Sequence, residues 1–263
     1  MASGSLPRPA PAGRAVAGSA FNTRAAPTSV SGVVAARRAA ACRAAGAHAA
    51  AAAAPALPKV SKPTLFDMPV SNNGARVRHV IYSKGLEGEF DIVPPSTVGG
   101  LASDTYKALN PQGKMPLLLL PDGTAIPESE VIVGYILDRW ASSGPSLRAA
   151  TPELRAKAAL AARVHDLYIT TVQACMYRAM PAAERARGIA QIARQLDVLE
   201  GICEGPYLAG EVTSADSAVF PTVVFMMQML PDVFGWADVF AGRPKLAAWW
   251  QALQRDPAAV RVE

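Results

Sequence analysis

The chain has 263 residues and is 51% hydrophobic, enough to bury one or two cores, which excludes a wholly disordered or fibrous protein. Its net charge of +5 does not mark a nucleic-acid binder, because eight of the 26 basic side chains precede the first acidic residue, Asp67. The other 18 stand against 21 acidic ones, a net of −3, and a mildly acidic body lacks the positive field that a phosphate backbone requires.

Residues 1–60 read as a leader outside the fold, rich in Ala, Arg, Ser and Pro, with no Asp or Glu and an unbroken run from Ala49 to Ala54. Arg37, Arg38 and Arg43 interrupt the stretch where the apolar core of a secretory signal would sit. An organelle transit peptide is therefore expected, for the chloroplast first and the mitochondrion second; a plain low-complexity arm is the alternative.

From Pro63 the pattern turns regular. Thr64 to Phe66 is a short strand, and Ser71 to Lys84 a helix with Val77, Val80 and Ile81 on one face. Phe90 and Ile92 alternate with polar residues in a second strand, and the crossover through the helix predicts parallel pairing. The stretch from Pro94 to Gly100 breaks regular structure. Leu117 to Leu120 and Thr124 to Ile126 predict an antiparallel hairpin, with Asp122-Gly123 in a tight primed turn. Ser129 to Trp140 reads as a helix carrying Ile132, Ile136 and Trp140.

Residues 61–140 thus predict an α/β domain, in the order β-α-β-β-β-α or β-α-β-α-β-β-α, which resembles the thioredoxin-like fold. A linker over 141–150 leads to an all-helical domain over 151–263, opening at a Thr151 cap with Pro152 at N1. Its clearest helix carries Ile189, Ile192, Leu196, Leu199 and Cys203 in one stripe. Further helices are expected at about Ser214–Leu230 and Pro244–Arg255. Ala218 to Leu230 is apolar but too short for a bilayer span, so it is expected to be buried, with no membrane anchor. Cys42, Cys175 and Cys203 form no C-x-x-C pair and no even set, which indicates neither a disulfide scaffold nor a metal site.

Four stretches together resemble the soluble glutathione transferase family. Pro69-Val70-Ser71-Asn72-Asn73-Gly74-Ala75-Arg76-Val77-Arg78 resembles the serine-type turn of its phi, tau and zeta classes, and Asn110 to Leu117 the stretch ending in a cis-proline. Pro127-Glu128-Ser129 is similar to the Glu-Ser pair that holds the γ-glutamyl group, and Thr213 to Asp216, with Pro221 behind it, to the capping box of the second domain. Phe66 and Met68 stand where tyrosine-type classes carry a tyrosine, and no cysteine lies between Pro63 and Trp140.

The resemblance implies a role for each matching residue. Free thiols ionise near pH 8.5, so the enzyme must stabilise the thiolate. The Ser71 hydroxyl, at the start of the first helix, is the expected donor to the sulfur, and no proton-accepting residue is required; the plain alternative is an N-cap. Met115-Pro116 is expected to be cis, with the Met115 backbone pairing with the cysteinyl backbone of glutathione. Glu128 takes the α-ammonium, while Ser129 takes the α-carboxylate and also caps the next helix. Lys114 takes the glycyl carboxylate. His165 and Tyr168, with Met176 and Tyr177, are candidates for the second-substrate pocket, and Cys175 and Cys203 for core packing.

The function implied is conjugation of glutathione, a co-substrate rather than a cofactor, to apolar electrophiles in detoxification or stress response by a homodimer. The alternatives are a zeta-like glutathione-dependent isomerase and a non-catalytic carrier of apolar ligands such as porphyrins.

Overall fold

A computed structural model of the protein describes residues 55–262. Residues 1–54, which hold most of the expected leader and Cys42, lie outside the described residues, as does Glu263.

Strand β1 (Thr64–Phe66) leads through a loop into helix α1 (Asn72–Ser83), and then come β2 (Asp91–Val93), α2 (Asp104–Leu109), β3 (Leu117–Leu119), β4 (Ala125–Pro127) and α3 (Ser129–Arg139). The sheet order is β2-β1-β3-β4, with β1 parallel to β2 and antiparallel to β3, and β3 antiparallel to β4. Successive side chains of a strand face opposite ways, so the sheet feeds two cores. Leu65 and Leu118 join Val77, Val80, Ile81, Ile132 and Ile136 beneath α1 and α3. Phe66, Leu117 and Leu119 join Tyr106 and Leu109 of α2 on the other face.

One of the two expected orders is selected, and two local expectations change. Helix α2, capped by Ser103 accepting from the Tyr106 N–H, selects the order β-α-β-α-β-β-α; its six residues were too short to show a period. In the hairpin turn only Gly123 takes positive φ, at 90°, and its N–H donates to Leu120, so the turn is not a primed pair with Asp122. Ile92 is 38% exposed, whereas Phe90, packed on Trp140, is buried just before β2.

The second half is helical: α4 (Pro152–Val164), continued by a π-helical turn over His165–Ile169, then α5 (Ala182–Ile202), α6 (Ser214–Phe234), α7 (Pro244–Leu253) and the short α8 (Pro257–Val260). Thr151 caps α4 with Pro152 at N1, and Ile192, Leu196, Leu199 and Cys203 form the buried stripe of α5. Cys175 and Cys203 are both free and buried, and burial pushes each thiol up. Helix α6 has 21 residues, so length and hydropathy no longer exclude a membrane crossing as expected from the shorter stretch; half of its apolar window is buried in this core. It packs along α1, with His79 and Phe220 ring centres 6.4 Å apart, and so carries α1 as the shared wall of both halves.

Candidate active site

Ser71 is the N-cap of α1. Its Oγ accepts from the Gly74 N–H at 3.0 Å, which uses a lone pair and leaves the hydroxyl proton free to be donated elsewhere. The helix N-terminus adds positive potential at the same point, favouring an anion. The loop that delivers Ser71 is held from below by Arg78, which reaches back from α1 to the Asp67 carboxylate, to the Met68 carbonyl at 3.2 Å and to the Pro69 carbonyl at 3.0 Å.

Two clefts flank this turn. A polar groove of about 220 Å³ is lined by Asn73, Asn110, Gln112, Lys114, Met115, Pro116, Glu128 and Ser129. The Met115-Pro116 bond is cis, as the resemblance implies. The backbone beneath the groove is pinned, since the Lys114 carbonyl accepts from both the Tyr106 hydroxyl and the Asn110 amide at 2.8 Å. Glu128 is exposed and sits at φ 71°, a region that costs a non-glycine residue on the order of 1–3 kcal/mol and tends to mark functional geometry. It is also the residue at the N-cap position of α3; Ser129 is the first helical residue, not the cap expected of it, and is buried beside the groove.

The second cleft, about 430 Å³, is lined by Val70, Ser71, Asn72, Asn73, Gln173, Tyr177 and Phe225. Tyr177 and Phe225 pack edge to face, with centres 5.8 Å apart, and make an aromatic wall opposite α1. Asn73 lines both clefts, so the polar groove and the aromatic pocket meet one turn from Ser71.

The structure brings Ser71, Lys114, Met115, Pro116, Glu128, Ser129 and Tyr177 to these clefts, but not His165, Tyr168 or Met176, the last of which is buried in the helical core. His165 is 1% exposed, bonded through Nδ1 to Asp166 at 2.9 Å and through Nε2 to the Thr222 hydroxyl at 2.8 Å, so both nitrogens are engaged inside the core. Tyr168 is 54% exposed and lines neither cleft. A helical turn widened by π geometry shifts every later side chain, and the 3.6-residue count could not anticipate it.

Sequence reasoning also missed the ion pairs behind α1. Arg76, 1% exposed, bridges Glu130 of α3 and Asp166, the latter at 2.9 Å, and so ties the sheet half to the helical half. Burial holds His165 below the usual imidazole value. Asp166 stays below the usual carboxylate range, because the hydrogen bond with His165 and the Arg76 charge outweigh the upward effect of burial. The available signal was two arginines, Arg76 and Arg78, inside an apolar helix face, where a charge requires a partner.

Residues 65–144 match the family model for the glutathione S-transferase N-terminal domain, and residues 182–252 that for the C-terminal domain. The chain is 33% identical over 208 residues to glutathione S-transferase 3 of Zea mays, covering 74% of this chain and 90% of that protein. It is 41% identical over 85 residues to protein LigF of a Sphingobium species, covering 32% of each. The solved structure of glutathione S-transferase III in its apo form superposes with a TM-score of 0.64 at 30% identity, covering 77% of this chain and 95% of that one.

Proposed function

This chain belongs to the glutathione S-transferase family and is a glutathione transferase, and from that premise we propose that it conjugates the glutathione thiolate to apolar electrophiles in detoxification or stress response. The observation that carries this reading is the junction at Asn73 of a polar groove and an aromatic pocket, beside the Ser71 hydroxyl at the N-terminus of α1. The tripeptide lies in the groove. Glu128 takes its α-ammonium, Ser129 its α-carboxylate, the Met115 backbone its cysteinyl backbone and Lys114 its glycyl carboxylate. The sulfur then sits at Ser71 and faces the pocket of Val70, Tyr177 and Phe225. Lowering the thiol pKa by about two units requires roughly 2.7 kcal/mol, within the reach of one charge-assisted hydrogen bond and a helix N-terminus.

Conjugation of a chlorinated nitrobenzene by Ser71→Ala tests the reading. The variant is expected to stay on immobilised glutathione while its turnover falls on the order of 10²-fold, as when one anion-stabilising donor is removed. Turnover equal to that of the unaltered protein would overturn it. Binding of apolar dyes without conjugation of any electrophile, indifferent to Ser71, would favour the carrier instead.

Two further parts belong to the same proposal. Val131 follows Glu130 and Leu167 follows Asp166, both apolar and more than half exposed beside the carboxylates that share Arg76, and they support a homodimer contact. Light scattering checks it, and a mass near one chain rejects it. The acid-free leader supports import into the chloroplast, with the mitochondrion as the alternative; a fluorescent fusion of residues 1–60 that stays outside both organelles rejects it.

A further inference from the structure

Asp67 is a buried titratable group that the chemistry above leaves unused. It follows β1, four residues before Ser71, and its side chain is 0% exposed. Arg78 takes Oδ2, while Oδ1 has no hydrogen-bond partner. That free oxygen lies against the first turn of α1, so near that a Cβ on Gly74 would come within 1.7 Å of it. Gly74 is also the residue whose N–H donates to Ser71 Oγ, so the serine hydroxyl and the orphan carboxylate oxygen flank one glycine. A buried carboxylate oxygen without a donor is costly, and the Ser71 hydroxyl is the donor at hand.

We propose that Asp67 accepts the thiol proton of glutathione, reached through the Ser71 hydroxyl. As the S–H bond breaks, its electron pair stays on sulfur and its proton bonds to Ser71 Oγ. The proton that Oγ carried passes to Asp67 Oδ1. Ser71 is again a hydroxyl, now donating to the thiolate, and the proton has stayed inside the protein. Asp67 becomes a neutral acid, so the guanidinium of Arg78 is left uncompensated behind the sulfur and attracts it through a poorly screened interior.

Burial holds the Asp67 carboxyl above its usual range against the opposing charge of Arg78, which brings its proton affinity closer to that of an activated thiol. The other titratable neighbour is Tyr106 of α2. Its hydroxyl, pushed up to about 12 by burial and by the Asp67 charge, stays protonated and donates to the Lys114 carbonyl.

This inference rests on the Ser71 reading, and the full chain tests both at once. Glutathione is titrated near neutral pH in buffers of different ionisation enthalpy, with the ultraviolet absorbance of bound thiolate followed in parallel. The unaltered protein is expected to form thiolate without releasing a proton to the buffer, and Asp67→Asn to release about one per thiolate. In the variant the acid limb of kcat/KM is expected to move up by about one pH unit, with a loss of about tenfold below it.

Release of a full proton by the unaltered protein overturns the proposal, as does an Asp67→Asn variant with an unchanged pH profile and proton count, in which Asp67 would only anchor Arg78. Should that variant not fold, the proton count of the unaltered protein decides alone. If bound glutathione shows no thiolate even there, the Ser71 reading falls first and the relay with it, which separates the two failures.

Discussion

Asp67 and Asp216 are both buried carboxylates, 3% and 0% exposed, and burial pushes both above the usual carboxylate range. Their surroundings differ in one respect. Asp216 accepts from the Leu208 N–H at 3.0 Å, the Thr213 N–H at 2.7 Å, the Thr213 hydroxyl at 3.0 Å and the Trp249 indole at 2.8 Å. Asp67 has Arg78 on one oxygen and nothing on the other. A carboxylate whose oxygens are all engaged closes a corner of the fold and has no capacity left for chemistry. One left half-satisfied beside Ser71 keeps that capacity at a cost in stability.

The widest test of this contrast is truncation. Asp216→Ala leaves two backbone N–H groups, a hydroxyl and an indole without their acceptor in the core of α6 and α7, and the expected loss is about 3–5 kcal/mol. For a domain of this size that lowers the thermal midpoint by roughly 6–20 °C, read by circular dichroism. Asp67→Ala strands only Arg78, which keeps the Met68 and Pro69 carbonyls, and its midpoint is expected to fall by less than half as much. Equal losses would break the comparison, because Asp67 would then be a structural group of the same kind.

Gly74→Ala is the next largest. The added methyl collides with Asp67 Oδ1, and either the carboxylate or the first turn of α1 must move. The expected cost is about 1–3 kcal/mol in urea unfolding, together with a fall in turnover larger than stability alone explains, since Ser71 shares that turn. A variant that loses stability but keeps its kcat would show that the chemistry tolerates displacement of this carboxylate.

His165 sharpens the contrast from the other side, being satisfied at both nitrogens like Asp216 yet linked through Asp166 to Arg76 on α1. Its folded pKa lies below the free value, so between the two the unfolded chain binds more protons and stability rises with pH. The contribution is complete above about pH 6.5 and is lost as pH falls through that value, at no more than about 1.4 kcal/mol per unit. His165→Gln should flatten the slope of thermal midpoint against pH in that window and leave glutathione KM unchanged. A shifted KM would assign His165 to the site after all.

These groups also mark how far the sequence could be read. Strands and long helices followed from local alternation and from caps such as Thr151 and Thr213, whose partners lie three residues away. The groove residues Lys114 to Pro116 and Glu128-Ser129 were legible because they sit in short contiguous stretches resembling one family. Arg78 to Asp67, Arg76 to Glu130 and Asp166, and Trp249 to Asp216 were not, since each joins residues 11 to 90 positions apart and depends on which helix face meets which. The positive φ of Glu128 was equally hidden, because a cap preference pointed to Ser129 and tertiary geometry overruled it.

Lys114 gives the smallest effect and bounds the whole contrast. It is exposed at the rim of the polar groove, so water and salt screen any bond to a ligand carboxylate, and such pairs contribute about 0.2–1 kcal/mol. Lys114→Ala should therefore raise the KM for glutathione by no more than about fivefold, with kcat unchanged and the effect shrinking as salt is added. The backbone bonds at Lys114 survive the substitution, because the Tyr106 hydroxyl and the Asn110 amide bind its carbonyl rather than its side chain. A loss far above that, insensitive to salt, would mean that an exposed cation rather than the buried groups around Ser71 does most to hold the tripeptide.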